Sequence, residues 1–135
     1  MNPPQSHFTS ADEVEAAFYA AFNRCDREAM ADLWADDEVV CIHPGSQAIV
    51  GYEAVIRSWS HIFTHAELPD IQVNIVKRAV TEALVVHVVE ERISTGKATA
   101  TVLATNVYKK YEEGWLMVEH HGSVMQVPTQ EHVLQ

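Results

Sequence analysis

Residues 97–127 read KATATVLATNVYKKYEEGWLMVEHHGSVMQV. Two long runs flank Glu112-Glu113-Gly114, a turn-forming triplet. In the first run Val102, Ala104, Asn106 and Tyr108 alternate with Thr101, Leu103, Thr105 and Val107, the period of two that a β-strand imposes. Strands joined by so short a turn are antiparallel neighbours. The face carrying Ala104 and Asn106 predicts an inner wall with space in front of it. The face carrying Thr101, Leu103, Thr105 and Val107 predicts an outer surface without charges.

Upstream, the turn Ser94-Thr95-Gly96 links this pair to another strand. Residues 83–89 are almost wholly apolar and β-branched, which predicts cover on both faces. Before them Ile71, Val73 and Ile75 alternate with Gln72 and Asn74, a half-exposed strand. The period changes in the first half of the chain. Ser10 with Glu13 is a capping-box pair, and Val14, Ala17, Phe18, Ala21 and Phe22 then follow helical spacing. Asp26 can cap a shorter helix that buries Met30, Leu33 and Trp34. Residues 39–43 form a short β-like run closed by Pro44-Gly45. After Gly51 a third helix carries Val55, Trp59, Ile62 and Phe63 on one face and ends before Pro69.

Helices followed by a meander must bury their apolar faces against one side of a curved sheet. The predicted fold class is therefore α+β: a cone-shaped barrel of a strongly curved antiparallel sheet, with three N-terminal helices covering a pocket. One domain spans residues 10–127, between flexible tails at residues 1–9 and 128–135. The outer sheet face, left bare, would be an association liability, which predicts a homodimer through that face.

The chain has 135 residues, 47% of them hydrophobic, enough for one core. Its formal net charge of −10 repels phosphate backbones and anionic lipid, so neither nucleic acid nor membrane is an expected partner. No run approaches the roughly 18 apolar residues of a membrane span, and no signal peptide is visible. Cys25 and Cys41 make neither a disulfide framework nor a metal-ligand spacing, which fits a cytoplasmic protein.

Ala35-Asp36-Asp37 precedes a strand ending in His43-Pro44-Gly45. Gly51 then opens a helix bearing Trp59, and Gly114-Trp115 leads to His120-His121. In this order the sequence resembles the SnoaL-like branch of the nuclear-transport-factor-two-like superfamily, from about Ser10 to Val127. The resemblance implies a conical α+β barrel, usually a homodimer, in a superfamily that holds isomerases, cyclases, hydrolases, dehydratases and non-catalytic modules. Fold alone does not choose among them. Compared with ketosteroid isomerase, His43 stands at the place of the general base, with Ile42 the competing match. Asn106 stands where an oxyanion-binding aspartate would be. The tyrosine donor falls on Phe18, with Tyr19 beside it. Classical steroid isomerisation is therefore not expected.

The candidate catalytic residues are His43 as proton acceptor, Asn106 as oxyanion donor, and His121 with Glu119 as an orienting pair or relay. Strand alternation from Trp115 and Met117 places Glu119 and His121 inward and His120 outward. Phe18, Phe22, Trp59 and Phe63 from the helices are the expected apolar lining. Cys41, Val102, Ala104, Tyr108 and Met117 complete it from the strands. His61 and His65 stand four apart on the third helix, but without a companion glutamate they read as an exposed helix end rather than a metal site. The leading expectation is a cofactor-free enzyme of isomerase, lyase or hydrolase type, working on a small hydrophobic molecule. The alternatives are a non-catalytic ligand-binding or dimerising module of the same superfamily and, more remotely, a metal-dependent enzyme using His43, His121 and a carboxylate.

Overall fold

The computed structural model describes residues 7–65, 67–96 and 98–125. Helix α1 spans Ala11–Arg24, α2 Arg27–Leu33 and α3 Tyr52–His65. The Ser10 hydroxyl accepts from the Glu13 N–H at 3.1 Å, as the capping pair requires. The Glu13 carboxylate reaches back one residue further than a capping box would, to the N–H and hydroxyl of Thr9 at 2.8 and 2.9 Å. Asp26 caps α2 through Ala29 N–H at 3.0 Å. Of the expected N-terminal tail, residues 7–9 are held: Phe8 packs against the core, and its carbonyl accepts from Trp115 N–H at 3.0 Å. The rest of that tail, and the whole of the C-terminal one, lie outside the described residues.

The strands are β1 Val40–Ile42, β2 Ile49–Val50, β3 Asp70–Val80, β4 Leu84–Thr95, β5 Ala98–Tyr111 and β6 Gly114–Val124. They form one six-stranded sheet in the order β2-β1-β6-β5-β4-β3. All neighbours are antiparallel except β1 and β6, which run parallel with Cys41 opposite His120. The three helices cover one face of this curled sheet, the α+β cone architecture expected. Phe18, Trp34, Trp59, Met30 and Leu33 are fully buried there. Each such side chain stabilises the fold by about 2–3 kcal/mol relative to exposure.

Two features depart from simple alternation. Among the described residues, the expected cover on both faces of residues 83–89 is absent: Val85, His87 and Val89 are buried, as is Glu91 in phase with them, whereas Val86 and Val88 are only half-buried by their neighbours. A β-branched run thus reports strand propensity, not two-sided burial. On β6, Glu119 pairs with Val107 but Met117 pairs with Tyr108, so Val118 is an extra residue, a β-bulge. Downstream of the bulge the inward and outward sets exchange.

Candidate functional site

The inner face gathers more polar side chains than its apolar composition suggests. Tyr19, one turn beyond Glu15 on α1, points into the sheet. Its hydroxyl donates to Glu91 Oε2 at 2.5 Å and accepts from Asn106 Nδ2 at 3.0 Å. The Asn106 carbonyl in turn accepts from His120 Nδ1–H at 2.6 Å. The chain is directional: His120 donates to Asn106, Asn106 to Tyr19, Tyr19 to Glu91. This fixes His120 with its proton on Nδ1 and a lone pair on Nε2. A second cluster lies beside it. Glu15 Oε2 accepts from Tyr108 Oη–H at 2.8 Å and lies 2.8 Å from His87 Nδ1, while Asp12 is 3.8 Å from His87 Nε2.

Burial dominates the electrostatics. It pushes the Glu91 carboxyl up to about 7, helped by the negative charge of Glu15 and opposed by the Tyr19 hydrogen bond. It pulls His120 down to about 3, with His43 and His121 adding to the effect. The Tyr19 and Tyr108 hydroxyls are driven well above their ordinary range, first by burial and then by the nearby carboxylates. These tyrosines therefore serve as hydrogen-bond donors, not as acids.

His43 lies outside this network. The Ser58 hydroxyl donates to the Val55 carbonyl at 2.7 Å, so its oxygen accepts from His43 Nε2–H at 2.9 Å. The imidazole stacks edge-on against Trp59 with centroids 4.7 Å apart, and burial lowers its pKa. Its ring nitrogens are 4.0 and 3.7 Å from the Cys41 sulfur, a thiol that burial pushes up to about 12 and so keeps protonated. The Trp59 indole N–H approaches the same sulfur without a formed hydrogen bond. His43 and Asn106 share no hydrogen bond: His120 occupies the Asn106 carbonyl, and Trp59 occupies the His43 face.

The expected inward set is therefore only partly assembled. Asn106, Val102, Ala104, Tyr108, Met117 and Cys41 face inward and are buried, as do Phe18 and Trp59. Phe22 and Phe63 are half-buried, flanking Trp59 at 5.0 and 5.7 Å between ring centroids. His121 is exposed and Glu119 half-exposed on the outer face, whereas His120 is 2% exposed and inward. The expectation for these three is reversed, and the Val118 bulge is the reason. The phenolic donor from α1 is Tyr19, not a residue at Phe18. Nor is there open space at the wall: Asn106, Phe18, Tyr108 and Met117 have no exposed surface at all. Aromatic rings fill the region the sequence leaves for a pocket, with Phe18 4.9 Å from His120 and 5.5 Å from Trp59. The rings of His61 and His65 lie 4.4 Å apart, and no group of three metal-ligating side chains occurs among the described residues.

Sequence reasoning missed Glu15, Tyr19, His87, Glu91 and His120. A signal existed for four of them. His87 and Glu91 fall in phase with Val85 and Val89, and Glu15 and Tyr19 border Val14 and Phe18 on the helical wheel.

Comparison with known proteins follows the same lines. Residues 12–127 match the family model of the SnoaL-like domain. A solved structure from Thiobacillus denitrificans, assigned as a candidate calcium/calmodulin-dependent protein kinase type II association domain, is 36% identical. It aligns with a TM-score of 0.86 over 90% of this chain and 100% of that one. A candidate dehydratase of the NTF2-like family from Streptomyces avermitilis is 28% identical, TM-score 0.77, over 84% of this chain and 93% of that one. The F-box protein SKIP8 of Arabidopsis thaliana is 32% identical over 133 residues, which cover 90% of this chain. The chain spans about half, 52%, of that curated relative's length.

Proposed function

Because the chain belongs to the SnoaL-like domain family, we propose that it works as a non-catalytic self-associating module, two copies meeting through the outer face of the sheet. The observation that carries this reading is the bare apolar outer face. Val86, Val88, Thr105 and Val107 lie half-buried at its centre, with Leu103 37% exposed beside them. No helix of the described residues covers this face. A patch of this kind at the middle of a sheet marks an interface in a soluble fold. Charged residues of both signs border it, Glu90 and Glu119 with Arg92 and Lys109, the composition a two-fold interface needs to complement itself. The similarity to a protein assigned as an association domain supports the same reading.

The acid–base alternative places His43 opposite Asn106 in a hollow. The sealed wall at Asn106 and the commitment of His43 Nε2–H to Ser58 do not favour it. Sedimentation equilibrium tests the association reading. The wild-type chain of 15.1 kDa is expected to run at twice that mass at micromolar concentration. Leu103→Glu is expected to weaken the dimer at least tenfold, about 1.4 kcal/mol, with an unchanged circular dichroism spectrum. A wild-type chain that stays monomeric throughout would end the proposal.

A further inference from the structure

A cleft of about 490 Å³ opens between the β1–β2 turn and α3, on the side away from the bare sheet face. Its lining comprises His43, Ser46, Arg57, Ser58 and His61 as polar groups and Ile49, Ala54 and Ile62 as the apolar ones. We propose that this cleft binds a small organic monocarboxylate with a compact apolar body.

Charge makes the first argument. The whole chain carries a formal −10, yet residues 43–65 hold one glutamate, Glu53, and one arginine, Arg57, which cancel, together with three histidines. No carboxylate lines the cleft. Glu53 precedes Arg57 by one turn on α3 but makes no ion pair with it, and Arg57 has no carboxylate partner among the described residues. An unpaired guanidinium presents a fork of N–H donors that fits a carboxylate bidentately.

Geometry makes the second. Arg57 and His61 are four apart on α3, so both project from one helix face into the same opening. The His61 ring is free of hydrogen bonds among the described residues, and its backbone carbonyl is taken by His65 Nδ1 at 3.0 Å. His43 and Ser58 are bonded to each other and to Val55, so they form a fixed back wall rather than additional free donors. Ile49, Ala54 and Ile62 then offer the apolar floor. The Arg57 fork and the His61 ring, set beside aliphatic side chains, select an anion that is mostly hydrocarbon, as small-molecule sites generally do. A dianion such as phosphate would leave the apolar floor unused.

Benzoate and its neutral isostere benzamide are the probes, followed by the His43 and His61 imidazole signals in NMR titrations of the full chain at about neutral pH, where both imidazoles are followed directly. Benzoate is expected to shift both rings saturably, with benzamide at least tenfold weaker. Arg57→Gln, an exposed change, is expected to weaken benzoate at least tenfold, whereas Arg24→Gln on α1 leaves it within twofold. Equal binding of benzoate and benzamide overturns the proposal. So does benzoate affinity unchanged by Arg57→Gln, or the absence of saturable shifts in a folded wild-type chain. Inorganic phosphate binding as tightly as benzoate would also overturn it, since the site would then read charge alone.

Discussion

Glu91 and His120 stand at the two ends of one hydrogen-bond chain, and burial shifts the pKa of each toward its neutral form. The unfolded carboxyl titrates near 4.5 and the folded one near 7, so across that window the folded state keeps a proton the unfolded chain has lost. Stability therefore falls as pH rises through it. For His120 the folded value of about 3 lies below the ordinary 6.5, so between them the unfolded chain holds the extra proton and stability falls as pH drops. The two slopes oppose one another where the windows overlap, from about 4.5 to 6.5, so the contributions of these two groups largely cancel there. Glu91→Gln keeps an acceptor for Tyr19 while removing the ionisation. Its urea stability relative to wild type is expected to improve by about 3 kcal/mol from about pH 5 to about pH 8. An equal difference at both pH values would refute the burial argument. Asn106→Leu should cost about 1–3 kcal/mol at any pH, because Tyr19 and His120 each lose a partner inside the core. Of these residues only Asn106 was legible as an inward polar group. His87 falls inside the run that reads as apolar and Glu91 lies just beyond it, and a polar residue in phase with valines is visible only once the strand's buried face is known.

The helices and long strands were readable because their signals are local. Ser10, Asp26 and Pro69 mark helix ends, and Gly96 and Gly114 mark strand turns, with φ of +55° and +137° that favour glycine. What is not local is the phase of β6. Periodicity carries an inward assignment along a strand only while the ladder is unbroken, and Val118 interrupts it between Met117 and His120. No residue type at Val118 announces this, since a bulge is set by the partner strand and by Ala35, whose N–H binds the Met117 carbonyl at 2.9 Å. Deleting Val118 would remove the extra residue yet leave Met117 opposite Tyr108 and Glu119 opposite Val107, so His120 stays inward while Glu119 and His121 stay outward. The expected cost is then that of losing one half-buried valine side chain, about 1 kcal/mol. A deletion variant that no longer unfolds cooperatively on heating would refute this register. Ser10→Ala offers a calibrated contrast at the opposite end of the fold, expected to cost about 1 kcal/mol through loss of the N-cap alone.

At the scale of the whole molecule, element order was enough to read the α+β cone, and the inner and outer faces of β5 were assigned correctly from alternation alone. The filled interior was not legible. Whether rings from α1 and α3 leave a hollow or close it depends on their mutual packing, and Phe18, Trp59 and Phe22 interlock edge to face. Net charge adds a consequence for assembly. Two copies at −10 each repel at low ionic strength, so added salt should tighten the proposed dimer several-fold up to roughly 0.2 M. Dissociation by salt would instead indicate an interface held by ion pairs. A last feature reaches beyond assembly. Cys41 is wholly shielded on a three-residue strand that β2 and β6 hold, whereas Cys25 is half-exposed. In a Cys25→Ser background, iodoacetamide can reach the remaining sulfur only when that short strand peels away. Alkylation speed, divided by that of the denatured chain, would then read directly how often this edge of the domain comes undone.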